Sequence, residues 1–125
     1  MSYAVGVVGT VRARHVMPGL PLPEGAPHDH DYRIEVSVER TSLDEAGMVV
    51  DIDVFRHALA AVTDRMTDAD LGEVLETDEA VTVERLSRWI HARLGQTLGS
   101  LHDAEMTVRV WEGPDAFGAY RDVVG

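Results

Sequence analysis

Two histidines, His28 and His30, stand at the start of a run from Tyr32 to Glu39 in which apolar and polar residues alternate. A period of two is typical of a strand with one buried face. Successive side chains on a strand point to opposite faces, so both histidines share the apolar face of this run. The pattern predicts a strand that brings two imidazoles to the edge of the protein core.

A third histidine, His15, ends an earlier alternating run that begins at Tyr3, and it falls on the same face as the valines of that run. A charged imidazolium on an apolar face is costly unless it has a partner. Three neutral imidazoles from two adjacent strands, with a fourth position open, form the ligand set of a catalytic zinc site. The sequence therefore predicts Zn²⁺ on His15, His28 and His30. The alternative is a surface or capping role for these side chains.

The composition narrows the class of protein. The 125 residues suffice for one domain, residues 1–125, and 45% of them are hydrophobic, which is typical of a globular chain. The chain has no cysteine, which excludes disulfides, thiolate metal ligands and a cysteine nucleophile.

The net charge is -11, and all eleven basic residues are arginines. A chain this acidic repels nucleic acid and anionic membrane surfaces, so neither is an expected partner. The apolar N-terminus has no positively charged region and is too short to span a bilayer. These features predict a cytoplasmic protein that acts on a small molecule.

The rest of the chain is predicted to add two helices and two strands. Apolar residues recur at helical spacing from Ile52 to Met66, with Asp51 or Asp53 as N-cap, and again from Thr82 to a stop at Gly99. The acidic segment 67–81 between them is predicted to be irregular. Strands are predicted at 106–112 and 116–124. The order β-β-α-α-β-β predicts an α+β fold, with two helices on one face of a four-stranded antiparallel sheet. A partner subunit is the simplest cover for the other face and the edges.

Several motifs in this order resemble the 6-pyruvoyl-tetrahydropterin synthase and 6-carboxytetrahydropterin synthase family, of which the chain is identified as a diverged member. They are His15, Glu24-x-x-x-His28-Asp29-His30-Asp31-Tyr32, Gly47-Met48-Val49-Val50-Asp51, Val81-Thr82-Val83-Glu84 and Val110-Trp111-Glu112. The resemblance implies the tunnelling fold, in which trimers form a barrel of strands and two trimers stack into a homo-hexamer. It also implies active sites between subunits.

The resemblance assigns roles to particular residues. His15, His28 and His30 match the three zinc ligands of the family, and Glu112 matches the acid that anchors the pterin ring. Glu24 stands where the family usually has a catalytic cysteine. Members with glutamate in this region resemble enzymes that cleave the side chain of dihydroneopterin to give 6-hydroxymethyl-dihydropterin. The alternatives are a solvated loop acid for Glu24 and a strand-end acid facing water for Glu112.

One family motif is incomplete in this chain. The family has Leu-Asp-His after the first helix, which supplies a catalytic Asp-His pair, whereas this chain has Met66-Thr67-Asp68. Asp68 remains a candidate for proton relay; the alternative is that it is one acid among many in an acidic loop. Side-chain cleavage is therefore favoured over triphosphate elimination.

Three functions are consistent with these residues. The first is a zinc-dependent lyase acting on the side chain of a dihydroneopterin-type substrate, with Glu24 and Asp68 as the catalytic candidates and Glu112 as the substrate-binding one. The second is a diverged zinc enzyme that runs an aldolase-like or cyclising step on another small molecule. The third is a non-catalytic, ligand-binding homologue.

Overall fold

The fold is built on one antiparallel sheet of four strands in the order β1-β2-β3-β4. The structure, a computed structural model, describes residues 1–124. The strands are β1 (Tyr3–His15), β2 (His28–Arg40), β3 (Ala104–Gly113) and β4 (Ala116–Val124). Each strand pairs with the next one along the chain, and the predicted four-stranded antiparallel sheet is confirmed.

Three helices connect the two halves of the sheet: α1 (Ile52–Met66), α2 (Leu71–Val74) and α3 (Val83–Leu98). The predicted N-caps of the two long helices are confirmed: the Asp51 carboxylate accepts from the backbone N–H of Asp53, and the Thr82 hydroxyl accepts from that of Arg85. The prediction that residues 67–81 are irregular was wrong for α2. This single turn forms because the Asp70 side chain caps it, accepting from the N–H of Gly72 at 2.9 Å.

The hairpin of β1 and β2 sets the positions of the three histidines. Its register runs without a break from Tyr3 opposite Arg40 to His15 opposite His28. The sequence predicts β2 from Asp31 to Arg40, and the observed strand starts three residues earlier because its pairing with β1 continues through His28. His15 and His28 are directly opposite each other, and His30 lies two residues further along the same face.

The core lies between the helices and one face of the sheet, called here the inner face. α1 packs on β1, whereas α3 packs on β3 and β4. The largest fully buried side chains include Tyr32, Phe55, Met66, Ile90 and Met106. This packing places the N-terminus of α3 at the same end of the sheet as the histidines.

The outer face of the sheet is polar near the histidine end and partly apolar elsewhere. Arg12 pairs with Asp31 at 3.0 Å and with Asp29 at 3.7 Å across β1 and β2. Val8, Phe117 and Val123 expose 56%, 49% and 69% of their surface on this face. No helix within residues 1–124 has the length and apolar character needed to cross a membrane.

Gly118 lets α3 approach β4 closely. A Cβ at this position would lie 2.6 Å from Val83 Cγ2 and 3.0 Å from the backbone N of Glu84. We expect Gly118→Ala to lower the free energy of unfolding by about 1–3 kcal/mol, because backbone of α3 has to move. Gly95→Ala is the matched control: its Cβ meets nothing within 4 Å, and an alanine inside a helix should instead add roughly 0.5–1 kcal/mol. Urea unfolding followed by circular dichroism measures both, and equal stabilities would contradict the close approach.

Candidate functional site

The side chains of His15, His28 and His30 converge at one end of the inner face. Their ring centroids are 4.5 Å apart for His15 and His28, and 4.8 Å apart for the other two pairs. One nitrogen from each ring lies within 4.8 Å of the others. The predicted convergence of the three rings is confirmed, and the cluster has the spacing of residues that can hold a metal ion.

Backbone carbonyls orient two of the three rings. His15 Nδ1 lies 3.1 Å from the carbonyl oxygen of Val81, and His28 Nδ1 lies 2.8 Å from that of Ala26. A carbonyl only accepts, so each Nδ1 donates its proton and leaves the Nε2 lone pair free. Metal-ligating histidines are commonly fixed in this way by their second ring nitrogen.

The cluster contains a buried nitrogen that needs a partner. His15 exposes only 4% of its surface, and its Nε2 makes no hydrogen bond to any of residues 1–124. The nearest carboxylate oxygen, from Glu112, lies 3.5 Å away, too far for a strong hydrogen bond. A buried polar atom without a partner is costly, and a cation bound by the three rings would supply that partner. The residues present therefore fit a zinc ion.

The surroundings of His30 favour its neutral form. Burial lowers the pKa of His30 and outweighs the charge of Glu112, which raises it; His15 and His28 lower the pKa further. The neutral imidazole is the form that binds a metal ion.

Glu112 reaches the cluster from β3. Trp111 pairs with Phe117 and Gly113 with Ala116, so Glu112 is the extra residue of a β-bulge. Its Oε1 lies 3.0 Å from His30 Nε2. The structure thus brings together four of the predicted site residues, His15, His28, His30 and Glu112.

A cleft of about 500 Å³ opens beside the three histidines. Its walls come from the β1–β2 loop, the start of α3 and the end of β3. The lining residues are His15, Met17, Leu20, Pro23, Glu24, His28, His30, Thr82, Val83, Glu84 and Glu112. The cleft has an apolar wall, the cluster of three histidines and three carboxylates, which is sufficient to hold and orient a small polar molecule.

Glu24 lies at this cleft, on the loop that joins β1 to β2. The loop is closed on itself, because the N–H of Met17 donates to the carbonyl of Glu24 at 2.8 Å. Gly25 is required here, since a Cβ would overlap the carbonyl oxygen of Leu20. The Glu24 side chain is exposed and therefore open to a ligand in the cleft.

Asp68 does not line the cleft of its own chain. It comes shortly after α1 in the chain and lies along the edge of β1, where its N–H donates to the carbonyl of Arg12 at 2.8 Å. Its charge acts on the exposed Arg12, whose pKa is raised chiefly by Asp31 and to a smaller degree by Asp29 and Asp68. The side chain is exposed, in an acidic part of the surface.

His57 and His91, which fall in the helical patterns of the sequence, lie outside the cluster. His57 is exposed on α1, and its Nδ1 donates to the carbonyl of Asp53 at 2.7 Å. His91 is buried under the sheet, where its Nε2 lies 3.1 Å from the carbonyl oxygen of Met106. Both side chains are used in structural contacts.

Three parts of the site were not apparent from the sequence. The backbone acceptors Val81 and Ala26 have no sequence signature. The apolar wall of Met17, Leu20 and Val83 depends on the path of a proline-rich loop. Glu84 carried a signal, since it follows the N-cap Thr82 and matches a family segment, but nothing in the sequence placed its side chain at the histidines.

Tyr32 lies under the cluster with a buried hydroxyl that has no hydrogen-bond partner among the described residues. Its ring centroid is 5.7 Å from that of His30, and burial, followed by the charge of Glu112, raises its pKa. We expect Tyr32→Phe to raise the free energy of unfolding by roughly 1 kcal/mol, because an unsatisfied hydroxyl is removed without loss of shape. Tyr120→Phe is the control, since that hydroxyl donates to Asp122 at 3.3 Å. A loss of stability in Tyr32→Phe during thermal unfolding would contradict this account.

Comparisons with known proteins place this chain in a family. The family model described as 6-pyruvoyl tetrahydropterin synthase matches residues 6–122. No curated protein sequence matches significantly.

Solved structures share the fold over nearly the whole chain. The 6-pyruvoyl tetrahydropterin synthase of Caenorhabditis elegans is 18% identical with a TM-score of 0.77, covering 98% of this chain and 97% of that one. The synthase of Plasmodium falciparum is 14% identical with a TM-score of 0.78, covering 98% and 99%. That of Plasmodium vivax is 12% identical with a TM-score of 0.79, covering 99% of each chain. The fold is thus the tunnelling fold, and the chain belongs to the 6-pyruvoyl tetrahydropterin synthase family.

Proposed function

We propose that this protein is a zinc-dependent lyase that cleaves the side chain of a dihydroneopterin-type substrate. The observation that carries the proposal is the convergence of His15, His28 and His30, with Glu112 3.0 Å from His30, in a cleft that also contains Glu24. Members of the family are lyases, which supports the same reaction class.

The histidines would bind the metal ion, and Glu112 would bind the pterin ring. When bound, zinc would act as a Lewis acid toward the vicinal oxygens of the substrate side chain. His15 and His28 would hold it through Nε2, with their Nδ1 protons fixed on Val81 and Ala26. The Glu112 carboxylate would accept hydrogen bonds from the amino group and ring N–H of the pterin, a pairing that suits a flat, guanidine-like edge.

Glu24 is proposed to transfer the proton that cleavage of the side chain requires. Cleavage of the carbon–carbon bond needs a base for the proton of a side-chain hydroxyl. It also needs an acid that returns a proton to the carbon left on the ring. One carboxylate performs both steps in sequence: it takes the hydroxyl proton as the bond breaks, the hydroxyl-bearing fragment leaves as an aldehyde, and the proton returns to the carbon that kept the electron pair. The use of a glutamate has a parallel, because two structures of the Plasmodium vivax enzyme are catalytic-residue mutants in which a glutamate was replaced.

We further propose that residues 1–125 form one domain of a cytoplasmic homo-hexamer, a dimer of trimers. Edge strands β1 and β4 are each paired on one side only, apart from the contact of β1 with residues 68–70. Val8, Phe117 and Val123 expose apolar surface on the outer face, which a second subunit would cover. Light scattering coupled to gel filtration tests the assembly, and a monomer at micromolar concentration would contradict it.

The function is tested by metal analysis of the purified protein and by product detection with dihydroneopterin. We expect one zinc per chain and release of 6-hydroxymethyl-dihydropterin. Bound zinc without turnover of any pterin would defeat the substrate assignment and leave the metal site intact.

That outcome would favour a second candidate, a diverged zinc enzyme acting on a non-pterin molecule. The absence of the family's Asp-His pair supports this alternative, because this chain has Thr67-Asp68 in its place. A chain that binds neither zinc nor pterins would instead be a non-catalytic homologue.

A further inference from the structure

The helix layer has a cluster of two arginines and one tryptophan at the junction of α1 and α3. Trp89, on α3, is half-buried and packs against the core. The guanidinium carbons of Arg65, on α1, and Arg93, on α3, lie over its indole ring, 5.4 Å and 5.3 Å from the ring centre. These distances are typical of cation–π contacts. The two helices thus hold two positive charges against one aromatic ring.

The cluster offers hydrogen-bond donors and has no acid partner. Within residues 1–124, neither Arg65 nor Arg93 forms an ion pair or donates a side-chain hydrogen bond. Arg56 and Arg85, on the same two helices, pair with acids at 3.4 Å and 3.1 Å. The chain has 22 acidic residues and eleven arginines, so two neighbouring arginines without an acid stand against its composition. Guanidinium and indole groups only donate, and a guanidinium stacked on a ring keeps its N–H edge free for an acceptor.

The cluster lies away from the surfaces that the proposed assembly would cover. Both long helices pack on the inner face of the sheet, so the cluster is on the side opposite to the outer face. α1 packs on β1, and α3 packs on β3 and β4, so the junction of the two helices lies between the edge strands and not beside either. Arg65 is exposed and Arg93 is half-buried. A partner could therefore reach both arginines in the single chain and in the hexamer.

We infer that Arg65, Trp89 and Arg93 form a docking site for an acidic segment of a partner protein. Each guanidinium can donate two parallel hydrogen bonds to one carboxylate, and the indole N–H is a further donor. Nucleic acid is disfavoured, because its dense phosphates would be repelled by a chain of net charge -11. A short acidic segment places a few carboxylates directly at the guanidiniums, while charges more than about 8 Å away are largely screened at physiological salt. The site requires neither zinc nor substrate.

Isothermal titration calorimetry of the full-length, zinc-loaded protein with a capped oligoglutamate peptide tests the site. An oligoglutamine peptide of the same length is the control for charge, and a single-stranded oligonucleotide is the control for the class of partner. We expect only the glutamate peptide to bind at about 0.15 M salt. Binding should also change the tryptophan fluorescence. The chain has two tryptophans, and the change should be absent from Trp89→Phe.

The two arginines are tested by substitution, alone and together. We expect Arg65→Gln and Arg93→Gln each to weaken peptide binding by at least about threefold, and the double variant by at least about tenfold. Arg93→Lys keeps the charge but loses the flat fork of donors, so it should also weaken binding. Arg56→Gln is the matched control, because it makes the same charge change on α1 at an arginine that is already paired. Circular dichroism verifies that all variants are folded, and their zinc content and turnover of dihydroneopterin should be unchanged.

Three results would overturn the inference. The first is a glutamate peptide that does not bind, or that binds the double variant as tightly as the wild-type protein. The second is an equal loss of binding in Arg56→Gln and Arg65→Gln, which would indicate a general attraction to positive charge. The third is tighter binding of the oligonucleotide than of the peptide, which would replace the acidic protein by a nucleic acid. None of these results depends on zinc or on turnover, so each would leave the proposed function standing.

Discussion

Replacing His15 with alanine is expected to remove the bound zinc and to abolish turnover of dihydroneopterin. His15 is the most buried of the three imidazoles, and its Nε2 has no hydrogen-bond partner within the described chain. Loss of a residue that only orients a ligand costs about 10–100-fold in metal affinity, so loss of a ligand itself should exceed that range. We therefore expect zinc affinity to fall by more than about 100-fold.

Mass spectrometry of the metal content, together with a competition titration against a chelator, measures this effect. His57→Ala is the matched control, since His57 is exposed on α1 and binds only its own helix backbone. The control should retain its zinc. Full zinc content in His15→Ala, with circular dichroism of a folded protein, would show that the histidine cluster is not the metal site.

Replacing Glu24 with glutamine is expected to lower kcat by about 10²–10⁴-fold, the usual contribution of a general acid or base. Glutamine keeps the shape of the side chain but neither takes up nor releases a proton near neutral pH. Glu24 is exposed at the cleft and is not one of the clustered nitrogen ligands. Zinc content and the dissociation constant of neopterin should therefore stay close to those of the wild-type protein.

Steady-state kinetics on zinc-loaded protein distinguish this role from simple binding. A rise in KM with unchanged kcat would assign Glu24 to substrate binding. If neither kcat nor KM changed, Glu24 would be a solvated loop acid without a role in the reaction. Glu45→Gln is the control for loss of one exposed carboxylate, and we expect it to retain its activity.

The element order could be predicted from the sequence because each element has a strong local pattern. Val7, Val11 and Ala13 alternate with polar residues and are buried on β1. Phe55, Leu59 and Val62 recur at helical spacing and are buried on α1. Asp51 and Thr82 have the side chains that cap helices, and both do so. Local chemistry of this kind does not depend on the rest of the fold.

The element ends depended on contacts that are distant in sequence. The first residues of β2 are stabilised by pairing with His15 and its neighbours, which lie thirteen or more residues earlier in the chain. α2 is four residues long, and its cap, Asp70, lies in a run of acids that gives no helical period. Short elements of this kind are set by tertiary context, which overrides the local pattern.

Some residues of the site could likewise be predicted from the sequence, and others could not. The three histidines could be found because strand alternation fixes their common face, and Glu112 because it matches the family's ring-anchoring acid at the end of a predicted strand. The carbonyls that orient His15 and His28 have no sequence signal, since every residue carries one. Asp68 was selected by resemblance alone, and the path of the chain after Met66 carries it along β1, away from the cleft of its own chain.

The two carbonyls that orient the histidines belong to different connections. Ala26 lies on the β1–β2 loop and Val81 lies just before α3, more than fifty residues later in the chain. A metal ion held by these histidines would therefore be coupled to both segments, and its release would loosen both together. Maturation of such a protein is a joint event, in which acquisition of the metal and ordering of two remote loops stabilise each other.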